Sequence, residues 1–230
     1  MKKYVFIGTY DKTDMLIYIS KMLTLLDKKV LLVDTTILKK TRYVVPTMIH
    51  ENKYITNFEG IDIAIGFENL EAIRKYQIDT IGQATEYDIA ILDIDRAIAY
   101  QKFDITNDDL HYFVTSFDVY NLKRGIQILP YINQNAKITK IYFTAEMSKE
   151  EDEYLNYLAK DYKINWEKNN IVLFPYTTED LNAIFINQRT GKIQMKGLSS
   201  LYVESILFLV EEISGESNLK IKKIYKRLVE

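Results

Sequence analysis

The chain has 230 residues, 47% hydrophobic and 27% charged, which suits one α/β domain with a sizeable core and excludes a disordered class. A formal net charge of −2 gives no overall electrostatic case for nucleic acid. The absence of cysteine excludes disulfides, thiolate metal sites and cysteine catalysis, and fits a reducing cytosol.

In chain order, KYVFIG (3–8) reads as a first strand, with an apolar run too short for a signal peptide. No stretch anywhere reaches the roughly 18 to 20 apolar residues of a membrane span. A polar turn follows, and then a helical pattern over residues 13–26 with Met15, Ile19, Met22, Leu23 and Leu26 on one face. KVLLVD (29–34) is the next strand. The stretch from Ile37 to Phe58 contains Pro46 and is the hardest to assign; an extra strand or hairpin before Gly60 fits it. Further strands are expected at IDIAIGF (61–67), YDIAILDI (87–94), HYFVTS (111–116), ITKIYFT (138–144) and NIVLFPY (170–176). Helical patterns fall near 69–77, 118–129, 149–161, 178–184 and 199–213. Most of these strands are continuously apolar, as in a parallel sheet covered on both faces, and the alternation argues for right-handed βαβ units.

The turn between the first strand and the first helix, FIGTYDKTD (6–14), has the layout of a phosphate-binding loop. Such a loop works because backbone N–H groups converge on an anion at a helix N-terminus, glycines let the chain come close, a lysine reaches the phosphates and a hydroxyl binds Mg²⁺. Gly8, Lys12 and Thr13 stand in suitable places, but Thr9 and Asp11 occupy positions that want glycine. The Asp11 carboxylate would sit beside the phosphate cradle, where like charges about 4 Å apart cost several kcal/mol in a partly dry site. Asp11 would also serve as an N-cap for the helix that follows.

At this point a resemblance becomes specific. Residues 3–36, KYVFIGTYDKTDMLIYISKMLTLLDKKVLLVDTT, resemble the first βαβ unit of the ParA/MinD family of deviant Walker-A ATPases. YDIAILDID (87–95) resembles its Walker-B strand, VTSFDVYNLKRGIQIL (114–129) its next strand and helix, and SLYVESILFLVEEISG (200–215) its closing helix. The resemblance implies a three-layer P-loop NTPase-like α/β fold with a mostly parallel sheet of about seven strands and helices on both faces. It implies a vestigial or weak nucleotide site at Gly8, Thr9, Asp11, Lys12, Thr13, Asp34 and Asp93. Lys12 stands at the loop lysine, Thr13 at the Mg²⁺ hydroxyl, Asp34 at the first aspartate of D-x-D and Asp93 at the Walker-B aspartate. Ile7 replaces the signature lysine, Thr36 the second, catalytic aspartate, and Asp95-Arg96-Ala97 a Pro/Gly turn facing the γ-phosphate; Thr144 stands near the asparagine that reads adenine. Ile7 removes a charge that would stabilise phosphoryl transfer, and Thr36 cannot activate water as a carboxylate does.

The expectation is one ParA/MinD-like domain over residues 1–215 and a basic amphipathic helix over 216–230, with no catalytic residue, no metal site and no cofactor. The chain would be an ATPase-deficient scaffold or positioning factor acting through protein partners, with a constitutive homodimer as one form. The alternative is an active ATPase that binds ATP and Mg²⁺ through Lys12, Thr13, Asp34 and Asp93. The carboxylates Asp34, Asp93 and Asp95 could hold Mg²⁺ or serve as relics and caps. In the tail, Ile221, Ile224, Tyr225 and Leu228 form a stripe among Lys220, Lys222, Lys223, Lys226 and Arg227. It could touch an anionic membrane weakly or pack on the domain. The expected location is the cytoplasm, with contact at the inner face of the membrane as the added reading. The 18 tyrosines read as core rather than as a nucleic-acid platform, and the isolated His50 and His111 carry neither a zinc site nor catalysis.

Overall fold

Eight runs of extended backbone form one sheet among the residues described, which in this computed structural model are 1–48, 51–144, 146 and 148–229, the side chain of Asn169 excepted. They are β1 (Lys2–Ile7), β2 (Val30–Asp34), β3 (Tyr54–Phe58), β4 (Ile61–Ile65), β5 (Ile89–Ile94), β6 (Leu110–Thr115), β7 (Lys137–Phe143) and β8 (Asn165–Phe174), in the order β3-β4-β2-β5-β1-β6-β7-β8. Every neighbouring pair is parallel except β3–β4. His50 lies outside the described residues.

The continuous apolarity of the strands has its cause in the period-two pleat. Tyr4, Phe6, Val30, Leu32, Ile89, Ile91, Tyr112 and Val114 face one core, and Val5, Ile7, Leu31, Val33, Ala90, Leu92 and Phe113 face the other. The first core is closed by α1 (Thr13–Thr24), α7 (Thr178–Thr190), α8 (Ser200–Ser214) and α9 (Asn218–Val229). The second is closed by α3 (Leu70–Ile81), α4 (Ala97–Lys102), α5 (Val119–Ile126) and α6 (Lys149–Ala159). The three-layer, mostly parallel architecture therefore stands as expected, with one strand more.

The added strand is β3, in the region that resisted assignment. It pairs with β4 through a two-residue turn, Glu59–Gly60, with φ of 48° and 91°. Positive φ at both central residues matches the right-handed twist of the flanking strands, and Gly60 adopts it without a Cβ penalty. Two short helices had no sequence signal: α2 (Thr41–Val44) and α4. The helical pattern at 118–129 breaks into α5 and a 3₁₀ turn at Leu129–Tyr131. β8 begins earlier than expected because Asn165 and Trp166 pair with Lys137 and Ile138 ahead of a register irregularity.

The C-terminal helix forms, and its apolar stripe is turned inward. Ile221 is fully buried and Ile224 nearly so, within the core that α1 and α8 share, whereas Leu219 is 83% exposed. Ile221→Ala should lower unfolding free energy by about 2–4 kcal/mol in urea denaturation, while Leu219→Ala should stay within about 0.5 kcal/mol. Equal effects at the two positions would mean that α9 is not docked.

Candidate functional site

The carboxyl ends of β1, β2 and β5 meet at one edge of the sheet, where open α/β sheets place ligands. The chain leaves β1 at Gly8, whose φ is 142° and whose missing side chain is a steric necessity: a Cβ there would lie 2.0 Å from the Val114 carbonyl oxygen on β6. Glycine here lets the loop cross the neighbouring strand. Thr9 then ties the loop to α5 through its hydroxyl, 3.2 Å from Asn121 Oδ1. The Tyr10 ring packs on Phe143 at a tilt, with ring centroids 4.7 Å apart.

Lys12 does not reach outward. Its side chain is 2% exposed, its Nζ donates to the Gly8 carbonyl at 2.8 Å, and it lies 2.6 Å from Asp93 Oδ1. That second contact is an ion pair without hydrogen-bond geometry at Oδ1. Burial pushes the Asp93 carboxyl up, to about 7, against the pull of Lys12 and with a further push from Asp34 and Asp95. Above about pH 7 the loop lysine and Asp93 thus neutralise each other below the surface.

Asp11 is not the N-cap expected: Lys12 holds that position without a side-chain cap bond, and Asp11, one residue before it, forms an Asx turn. Its Oδ1 accepts the Thr13 backbone N–H at 3.1 Å, satisfying one orphan donor of the first turn of α1. Its other oxygen pairs with Lys40, which also bonds Asp14 at 3.0 Å. Burial works against the Asp11 charge, but Lys40 outweighs it and holds the carboxyl below the ordinary carboxylate range. Asp14 is fixed in turn by Gln188 of α7 at 2.9 Å. Lys40 was invisible to sequence reading, since it reaches Asp11 across 29 residues from a segment with no regular pattern.

The other aspartates are absorbed in the same way. Asp34 Oδ1 accepts the Thr36 hydroxyl at 2.6 Å and the Thr36 N–H at 3.0 Å, and Oδ2 accepts the Thr41 N–H at 3.2 Å. Asp34 therefore holds the first N–H of α2, and Thr36 is its partner. Asp95 Oδ2 accepts the Ile37 N–H at 2.8 Å, while its Oδ1 is buried with no hydrogen bond. Thr35 donates to the Asp93 carbonyl at 2.6 Å and accepts from Arg96 at 3.2 Å. Among the described residues no group of three or more potential ligands is arranged to hold a metal. His111 is a core histidine, between the Tyr100 hydroxyl at 2.9 Å and the Asp109 carbonyl at 2.8 Å.

The structure thus brings Gly8, Thr9, Asp11, Lys12, Thr13 and Asp93 together around one cavity of about 290 Å³, with Asp34 just behind its Thr36 wall. A Mg²⁺-triphosphate fits these residues poorly as they stand. The lysine is paired inward, and an anionic side chain already holds the first N–H of the helix whose N–H groups the phosphates would need.

No family model matches the chain, and no curated protein is similar to it in sequence. Solved structures share its fold. A chain of the MinC:MinD cell division protein complex of Aquifex aeolicus aligns over 94% of this chain and 97% of its own, with a TM-score of 0.60 and 15% identity. The MinD cell division protein of Aquifex aeolicus gives 0.59 and 16% over 94% and 98%. A Cyanothece McdA variant in complex with ATP gives 0.54 and 15% over 94% and 97%. The chain has the P-loop NTPase-like fold of these proteins along nearly its whole length.

Removing Lys12 would leave Asp93 buried beside two other carboxylates. Lys12→Met should lose about 3–5 kcal/mol at pH 8 in urea unfolding, and adding Asp93→Asn should restore most of it. The native Asp93 keeps its proton up to about pH 7 whereas the ordinary value is 3.8, so the native state binds more protons in between. The contribution of this group is present at low pH and lost as pH rises through 7. The Lys12→Met deficit should accordingly shrink on acidification. A deficit independent of both pH and Asp93→Asn would refute the pairing.

Proposed function

We propose that this chain is a ParA/MinD-like protein without a working ATP cycle, which acts by docking other proteins. Its role would be that of a scaffold or positioning factor for a membrane-associated machine or a partition system. The observation that supports this most is the inward pairing of Lys12 with Asp93 and Gly8, at the one position where the resemblance puts the phosphate-binding lysine. Ile7 and Thr36 support it further, because Ile7 is fully buried in a core and Thr36 is the partner of Asp34. Any dimer would then form without nucleotide. The likeness to a MinC:MinD complex is compatible with protein partners.

Exposed apolar side chains beside the loop suit such a role. Leu38 is 81% and Tyr43 80% exposed, on the segment that walls the cavity. No helix among the described residues is long and apolar enough to cross a membrane. With most of its apolar stripe buried, α9 could meet an anionic bilayer mainly through exposed Lys222, Lys223, Lys226 and Arg227, a weak and salt-sensitive contact. A cytoplasmic location with such peripheral contact is part of the proposal.

One observation favours the alternative, an active ATPase: a cavity remains beside Gly8, Lys12 and Thr13. Thermal-shift titration with ATP and Mg²⁺ separates the two, since saturating a real site a hundredfold over its Kd adds about 2.7 kcal/mol. We expect no shift and no hydrolysis above a Thr13→Ala control. A saturable shift together with hydrolysis lost in Thr13→Ala would replace the docking reading with the enzymatic one.

A further inference from the structure

A second cavity, of about 330 Å³, opens on the same sheet edge on the far side of the 34–40 segment. Thr36, Leu38 and Lys40 face the loop cavity, while Asp34, Thr35 and Lys39 face this one, so the segment is a partition between them. Four cations line the second cavity, each from a different segment: Lys39 after β2, Lys53 before β3, Arg96 after β5 and Lys102 at the end of α4. Its floor is apolar, formed by buried Phe67, Ala99 and Phe103.

The anions at hand are too few for these cations. Asp34 answers one of them in formal charge, while its oxygens are engaged by Thr36 and the Thr41 N–H. Glu68, exposed at the rim, pairs with Lys102 at 2.7 Å and also feels Lys53 and Arg96. Lys39 and Lys53 have no ion-pair partner among the described residues, and Arg96 lies 3.9 Å from Asp95 while its other nitrogen holds the Thr35 carbonyl. A surplus of one cation over the carboxylates Asp34, Glu68 and Asp95 is thus held in a concave site with an apolar floor, and Glu68 sits exposed at the entrance, where an incoming anion can displace it.

We propose that this cavity binds a compact oxyanion carrying two or more negative charges, a phosphate ester or a polycarboxylate, whose uncharged body rests on Phe67 and Phe103, with Glu68 as the internal competitor. Convergent Lys and Arg donors suit such an anion, and the apolar floor suits its remainder. The site is distinct from the phosphate-loop cavity and independent of the docking proposal.

Calorimetric titration of the full chain at low ionic strength with inorganic phosphate, pyrophosphate and citrate tests this. Saturable binding of pyrophosphate or citrate is expected, and the tighter of the two identifies the source of the charge. Lys53→Ala with Lys102→Ala should weaken it at least tenfold, Glu68→Gln should tighten it about threefold, and Lys40→Ala, which alters only the loop cavity, should leave Kd within about twofold. No binding by any of the three anions, or binding untouched by the Lys53/Lys102 pair, overturns the assignment. Binding lost in Lys40→Ala alone also overturns it, and moves the anion to the phosphate loop, whereas a failure here with no ATP response leaves the docking proposal standing.

Discussion

A lysine and an aspartate buried at the centre of the sheet edge constrain everything around them. Lys12 and Asp93 are each about 3% exposed and 2.6 Å apart. Two charges removed from water hold together only while both are present and well placed. Lys12 is the last residue before α1 and Asp93 lies inside β5, so their contact pins the start of the first helix to the middle strand of the sheet. The same contact engages the lysine that a ligand in the loop would have to draw off. Stability of the edge and nucleotide chemistry compete for one ammonium group.

Around that pair, the remaining polar groups have been turned to structural use. Asp11 holds the first N–H of α1 and meets Lys40, Asp34 holds the first N–H of α2, Thr36 serves Asp34, and Asp95 holds the Ile37 N–H. These bonds converge on residues 34–41, a segment without regular structure for most of its length. It is held by side-chain acceptors at several points and yet presents Ile37 and Leu38 to solvent at 58% and 81% exposure. A rigidly tethered loop with outward apolar residues is a physical basis for recognition by another surface. The second cavity shares this wall, so a ligand there and a partner on the loop would meet across one short stretch of chain.

How much of this could be read from sequence follows from what is local. Seven strands were legible because runs such as YVFI and VLLV are apolar on both faces, and only a doubly covered sheet asks for that. The extra strand or hairpin expected before Gly60 is β3 with β4, but its bounds were not legible, since YITNF alternates weakly and its identity depends on pairing with β4 across Glu59–Gly60. α2 and α4 owe their existence to tertiary partners, the Asp34 bond to the Thr41 N–H and the Tyr100–His111 contact, rather than to any periodicity. Lys12 and Thr13 were found in the loop pattern, Asp34 and Asp93 through the family resemblance, and all four lie at one edge. The direction of Lys12, the bridge from Lys40 to Asp11 and Asp14, and the basic cavity beyond Thr35 were hidden, because each joins segments remote in sequence. Asp11 was legible in part: its place before the helix suggested an N-cap, but Lys12 holds that position and Asp11 reaches only the Thr13 N–H.

The most direct test of the account is a crystal structure grown with millimolar Mg²⁺ and a non-hydrolysable ATP analogue. The account predicts Lys12 Nζ still between Asp93 and the Gly8 carbonyl, Asp11 still on the Thr13 N–H, and no triphosphate within the 8–13 turn. An ordered triphosphate wrapped by that turn, with Lys12 drawn away from Asp93 to meet it, would contradict the account.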